Sequence, residues 1–431
     1  MTQSYLSSSR FFYWSKKGSI AILDQVLFNG VHFLIAVLLA RWLEPVEYGI
    51  FAVAYSIFLL FASFHMALLI EPMLIFGAGK YQGIFKGYLN ALIFGNFRVT
   101  LFGSLILFLV GLPVGLFYSK NLQFALFGLA IALPFILLLW LLRRSFYVRL
   151  EPGWPVIGGA IYVILLLLAS FLLKISHLLS PATYFLGMGL CSLLVSLFFI
   201  YIIRPQRFKL NKYEFLDMKN AHFHYGKWAL GTNILAWGVN NIYFIILPFW
   251  AGFEGVAGLR ALMNLSTPFI QVNSALTFLF IPLISKKKTG ESYKIAKVVI
   301  VLLVLFSIVG LAYLLGLIIF EKIIMVYLYN NKYTEYSYLI PFIGLLSLLG
   351  GISLVLEITL RSLNNPEKVF WSYLVAMMVV LFGGIFFAKT FGVRGVLFNY
   401  NLSYIVTIIM LGFFVKTRVS DFSVVEKPRR C

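Results

Sequence analysis

Asp24, Gln25, Asn29 and His32 lie close together inside an otherwise apolar run. At about 100° per residue they fall within one arc of roughly 140° on a helix. An acid, two amides and an imidazole on one face can take up a cation, pass a proton or hydrogen-bond a polar solute. A second set, Arg260, Asn264, Thr267, Gln271 and Ser274, recurs at helical spacing and forms a single line down one face. Asn233, Trp237, Asn240 and Asn241 make a third stripe. Arg98 stands alone in another apolar run, and its planar, permanently charged fork suits a phosphate. The chain holds no Gly-x-Ser-x-Gly elbow, no phosphate-binding Gly-rich loop and no metal-spaced His/Cys cluster. Catalysis, a cofactor and a metal are therefore not expected.

The runs that carry these residues point to a membrane. Of 431 residues, 61% are hydrophobic and 12% charged, a balance explained when lipid covers the outside and helices satisfy every backbone group. Segments 18–40, 49–70, 89–112, 122–142, 155–175, 182–203, 228–251, 257–284, 295–319, 338–362, 369–388 and 395–415 each reach spanning length. Twelve helices with the N-terminus inside put 26 of the 35 Lys and Arg on the cytoplasmic side and 8 on the other, with Arg98 inside a span. That bias predicts cytoplasmic termini. The net charge of +20 sits in these tracts and in no separate basic domain, so nucleic acid is not an expected partner.

The predicted fold is an all-α polytopic membrane protein. Its parts are an N-terminal six-helix lobe over 1–203, a basic cytoplasmic linker over 204–227 and a C-terminal six-helix lobe with a cytoplasmic tail over 228–431. The linker reads as a solvated segment on anionic headgroups, and its His222 and His224 have no acid or thiol at ligand spacing. Cys191 and Cys431 imply no disulfide framework. A shift of 209 sets Asp24 on Asn233, His32 on Asn241, Tyr55 on Asn264 and Gly49 on Gly258. Six helices is an even number, so the halves insert the same way up. That is the plan of transporters that rock two bundles around a central site.

Spans one, two, seven and eight are expected to line a hydrated interior, because an unpaired polar group facing lipid costs several kcal/mol. Interhelical hydrogen bonding is the alternative for any single amide or hydroxyl. Asp24 lies about 9 Å, and Arg98 about 13–14 Å, in from the cytoplasmic ends of their helices. They can form a salt bridge, or Asp24 can take up a proton or sodium ion while Arg98 attracts a phosphate. Glu357 and Arg361, one turn apart, read as a local pair.

The segment Leu39-Ala40-Arg41-Trp42-Leu43-Glu44-Pro45-Val46-Glu47-Tyr48-Gly49 resembles the first-loop signature of bacterial polysaccharide export proteins, with Glu44 where Gly is commoner. Tyr225-Gly226-Lys227-Trp228, the stretch from Gly258 to Pro268, and Gly392-Val393-Arg394-Gly395 are similar to further stretches of that family. The family is the Wzx-type oligosaccharide flippases, in the superfamily that includes MATE drug exporters and the peptidoglycan lipid flippase.

The resemblance implies a MATE-like transporter in the bacterial cytoplasmic membrane. Such a protein moves undecaprenyl-pyrophosphate-linked oligosaccharide between leaflets for O-antigen, capsule or exopolysaccharide synthesis. Its partners would be the lipid-linked substrate, membrane lipid, glycosyltransferases and a polysaccharide polymerase. On that reading Arg98 and Arg260 contact phosphate or sugar acids. Asn233, Asn240, Asn241, Asn264, Gln271, Tyr55 and His32 contact sugar, and Asp24 couples transport to a cation. The rivals are a MATE-like exporter of amphipathic cations, which would want a surplus of acids, and a polysaccharide polymerase or ligase, which would want a large outer loop.

Overall fold

The computed structural model describes residues 2–205, 210–271, 273, 292–363 and 365–424; these are helical almost throughout, with no strand among them. They contain ten stretches long and apolar enough to cross a membrane. The last of these, Glu367–Thr417, is broken at Gly392, whose φ of 56° and ψ of −133° end one helix and start another. The predicted spans 369–388 and 395–415 therefore fall on separate helical segments. The eighth span, 257–284, lies partly outside the described residues, and so does Ser274.

The chain divides into two compact units. The first takes residues 1–43 and 50–234. It holds α1 (Thr2–Trp42), then α2 (Pro45–His65), which runs through a π-helical turn (Met66–Ile70) into α3 (Glu71–Phe76). After these come α4 (Phe85–Phe117), α5 (Lys120–Val148), α6 (Gly153–Ile175) and α7 (Pro181–Ile203). α5 is the centre of this unit, buried along its length between α4 and α7. Pro134 in α5 has no N–H to offer the Ala130 carbonyl, and Ser104 of α4 donates to that carbonyl at 2.6 Å instead. The break in one helix is thereby mended by its neighbour.

A side chain also ties the linker down: the Nδ1–H of His222 donates to the Leu68 carbonyl of the π-helical turn at 2.9 Å. A carbonyl can only accept, so Nδ1 carries the proton, and Nε2 accepts from the Tyr88 hydroxyl at 2.6 Å. His222 is buried, which holds its imidazole below the usual range. Nearby, Lys80 donates to Asp217 at 2.6 Å and holds that carboxyl below the usual carboxylate range. The second part of the linker is the start of α8 (Lys212–Ile246), which continues unbroken into the seventh span.

The second unit takes 44–49 and 235–431. It contains the rest of α8, α9 (Pro248–Asn264), α10 (Ser292–Ile319), α11 (Glu321–Tyr329), α12 (Ile340–Ser362) and α13 (Pro366–Met378). A second π-helical turn, Val379–Gly383, joins α13 to α14 (Gly384–Val424). α12 is its centre, packed on α10 through Val299, Phe306 and Val355 and on α14 through Leu360 and Leu411. The turn Glu44–Gly49 belongs to this unit because Gly49 presses on α9. A Cβ there would stand 1.9 Å from the Phe253 carbonyl oxygen, so no side chain fits.

Candidate functional site

In the first unit the polar face of α1 meets α5. Asp24 has no exposed surface and Arg143 only 4%. The guanidinium grips the carboxylate as a fork: Nη2 donates to Oδ2 at 2.6 Å and Nε to Oδ1 at 3.0 Å. The Tyr147 hydroxyl donates to Oδ2 as well. Gly159 of α6 leaves room for the carboxylate, since a Cβ there would lie 3.4 Å from Oδ1. The other face of the Arg143 guanidinium rests on the Phe28 ring, 4.0 Å from its centroid. Phe28 stacks on Tyr162 and meets the His32 ring edge-on at 5.0 Å. His32 Nε2 has no hydrogen-bond partner among the described residues.

The expected pairing of Asp24 with Arg98 is therefore replaced by one with Arg143. The predicted fourth span ends at residue 142, one short of Arg143, whereas α5 runs on to Val148. Arg98 is exposed on α4 and makes no hydrogen bond or ion pair with a described residue. Asn233 donates to Glu71 at 3.0 Å, and half-buried Tyr55 packs between Phe51 and Phe58. A cation that reaches Asp24 has to displace Arg143 or Tyr147.

The second unit holds a cluster of amides and phenols. Tyr400 of α14 donates to both the backbone and the side-chain oxygen of Asn240, at 2.9 and 3.2 Å. Tyr404, one turn on, stacks on Tyr400 and reaches the same Asn240 oxygen at 3.4 Å. Asn399 donates to the Tyr243 hydroxyl at 2.9 Å and to the Val379 carbonyl at the π-helical turn at 3.3 Å. Glu357 is held by Arg361 at 2.6 Å, the local pair expected, and also accepts from Tyr373 at 3.1 Å. Asn241 is turned back on its own helix, donating to the Trp237 carbonyl.

The predicted line from Arg260 to Ser274 is not one straight row. α9 stops at Asn264, and Leu265 and Ser266 tighten to i→i−3 bonds because Pro268 has no N–H for the Asn264 carbonyl. Asn264 is 3% exposed and donates to Tyr48 at 2.9 Å, so it fastens the first-loop turn. Arg260 is half-buried with its guanidinium 5.5 Å from the Phe244 ring centre, and Thr267 and Gln271 are half-buried. Tyr147, Asn399, Tyr400 and Tyr404 were missed by sequence reasoning. The i,i+4 pair Tyr400 and Tyr404, beside Asn399 and Asn401 in an apolar run, was the signal that could have found the second cluster.

By sequence the chain matches no family model and no curated protein. By fold it is similar to a multidrug resistance MATE family transporter of the MOP superfamily in an inward-facing conformation. The TM-score is 0.73 at 12% identity, over 94% of this chain and 99% of that one. It is similar to the lipid II flippase MurJ in an inward closed conformation, with a TM-score of 0.72 at 16% identity over 94% and 90%. A MOP superfamily transporter from Pyrococcus furiosus gives 0.63 at 14% identity over 94% and 96%. The chain has the fold of MOP superfamily transporters.

Proposed function

We propose that the chain is a flippase for lipid-linked oligosaccharide, undecaprenyl-pyrophosphate-linked in a bacterial cytoplasmic membrane, working by alternating access. The observation that carries this reading is the kind of polar group the membrane helices hold. Asp24 of α1 and Glu357 of α12 are each neutralised by an arginine, and Glu71 of α3 accepts from the Asn233 amide. Beside them, among the described residues, stands a set of amides and phenols: Asn240, Tyr243, Asn399, Tyr400 and Tyr404. Such groups match a hydroxyl-rich headgroup, whereas a bound organic cation calls for an unpaired acid or an open aromatic cage. Asn240, Tyr404, Gln271 and Arg260 are the proposed headgroup contacts in the second unit. His32, with an unsatisfied ring nitrogen, is one in the first. Asp24 is the proposed coupling group, switching when a proton or sodium ion competes with Arg143 for its carboxylate. Arg98, exposed on α4, is not kept in the headgroup set. Asn241 and Asn264 are kept as structural fasteners.

The test is reconstitution of the whole chain into proteoliposomes with a lipid-linked oligosaccharide whose headgroup is scored by an added glycosidase. Headgroups should become accessible several times faster than in protein-free vesicles. Equal rates, together with accumulation of a fluorescent organic cation, would replace this reading by the exporter.

A further inference from the structure

Arg98 lies in α4, and Phe94, Leu101 and Phe102 around it are 61%, 56% and 65% exposed, a surface suited to acyl chains. An arginine there is expensive unless an anion or water meets it. Among the described residues no acidic side chain pairs with it. Arg98 shares a cavity of about 620 Å³ with Lys212 and Lys219 of α8, and no acidic side chain lines it. The two acids of the adjoining α8 turns are committed elsewhere: Glu214 accepts from the Asn211 backbone N–H at 2.8 Å, and Asp217 from Lys80 and Tyr81. The rest of the wall is mostly apolar, with Leu69, Val99, Phe215 and Met218 beside the neutral polar groups of Asn90, Asn211 and His222. Three cations over an oily floor, in a volume within the range of ligand pockets, have the chemistry of a lipid phosphate and the upper part of its chains.

We infer that this groove between α4 and the start of α8 holds the headgroup of an anionic phospholipid of the bilayer. Arg98 and Lys219 take the phosphate, and the glycerol and first methylenes lie on Phe215, Met218 and Val99. Because α8 runs from this groove into the second unit, the lipid would also fix the linker end of that helix. The inference does not depend on the transported substrate, since its ligand is bulk lipid.

The experiment uses the full chain, purified in detergent, stripped of lipid and given phosphatidylglycerol, phosphatidylcholine or inorganic phosphate, with bound lipid counted by native mass spectrometry. Phosphatidylglycerol should be retained in preference to phosphatidylcholine, and the double variant R98Q/K219Q should weaken that retention about tenfold or more, as loss of charge-assisted bonds to phosphate requires. Undiminished retention in the double variant overturns the site. Equal occupancy by inorganic phosphate alone overturns the lipid assignment. Should the variant be unstable, phosphatidylglycerol carrying a photoreactive chain decides the matter on the unaltered protein. Crosslinks within 87–99 and 210–222 support the groove, and crosslinks confined to other segments refute it.

Discussion

The two units solve the same problem, polar groups among membrane helices, in opposite ways. The first concentrates formal charge: Asp24, Arg143 and Tyr147 close on one another, with Phe28 beneath the guanidinium. The second spreads dipoles: Asn240, Asn399, Tyr243, Tyr400 and Tyr404 share neutral hydrogen bonds. A buried ion pair is a two-state object. Removing either charge strands the other, so it suits a switch driven by an ion. A dipole network loses its members one at a time and suits graded contact with hydroxyl groups.

The largest expected effect follows from breaking the pair on one side only. Arg143→Ala should cost about 3–5 kcal/mol by leaving Asp24 buried without its counter-charge. Denaturation of the detergent-solubilised protein would read this, and adding Asp24→Asn should restore most of the loss. No recovery in the double variant would show that Arg143 acts through packing on Phe28. In the second unit Asn399→Ala should cost about 1–3 kcal/mol, because the Val379 carbonyl loses its side-chain donor at the π-helical turn. Tyr404→Phe and Tyr400→Phe should each cost about 0.5–1.5 kcal/mol, seen as a weaker dependence of headgroup transport on substrate with unchanged protein amount.

The smallest effect is one of pH at the linker. His222 takes up a proton more readily in the unfolded chain than when docked on Leu68 and Tyr88, because burial lowers its value. The stability it contributes is therefore complete above about pH 6.5 and is lost as the pH falls toward that lowered value. Hydrogen exchange across 212–222 should quicken on acidification, and His222→Gln should flatten the response. An unchanged response in that variant would assign the effect to other groups.

The helical crossings could be read from the sequence because lipid leaves the backbone one economical arrangement, and length with hydropathy then marks each helix. Gly392 and Pro268 stand in the sequence as residue types that break helices, yet the predicted row from Arg260 to Ser274 runs straight through Pro268; the structure shows that Gly392 separates two helical segments and that the helix ends at Asn264. Asp24 was visible as an ionisable group at depth. Its partner was not, because Arg143 lies near the cytoplasmic end of its helix, where arginine also serves topology. The tyrosines of the second unit were hidden for another reason. Tyrosine in an apolar helix reads as bulk until its hydroxyl has a partner, and that partner, Asn240, comes from a helix about 160 residues away in sequence.

The division of labour between the units is most directly tested by headgroup transport in proteoliposomes, measured with and without an imposed ion gradient, for two variants side by side. Asp24→Asn should abolish the response to the gradient and leave the substrate dependence as in the parent protein. The double variant Tyr400→Phe/Tyr404→Phe should do the reverse. If both variants change the same parameter, the charged and neutral clusters do not have separate tasks, and the assignment of coupling to one and headgroup contact to the other is wrong.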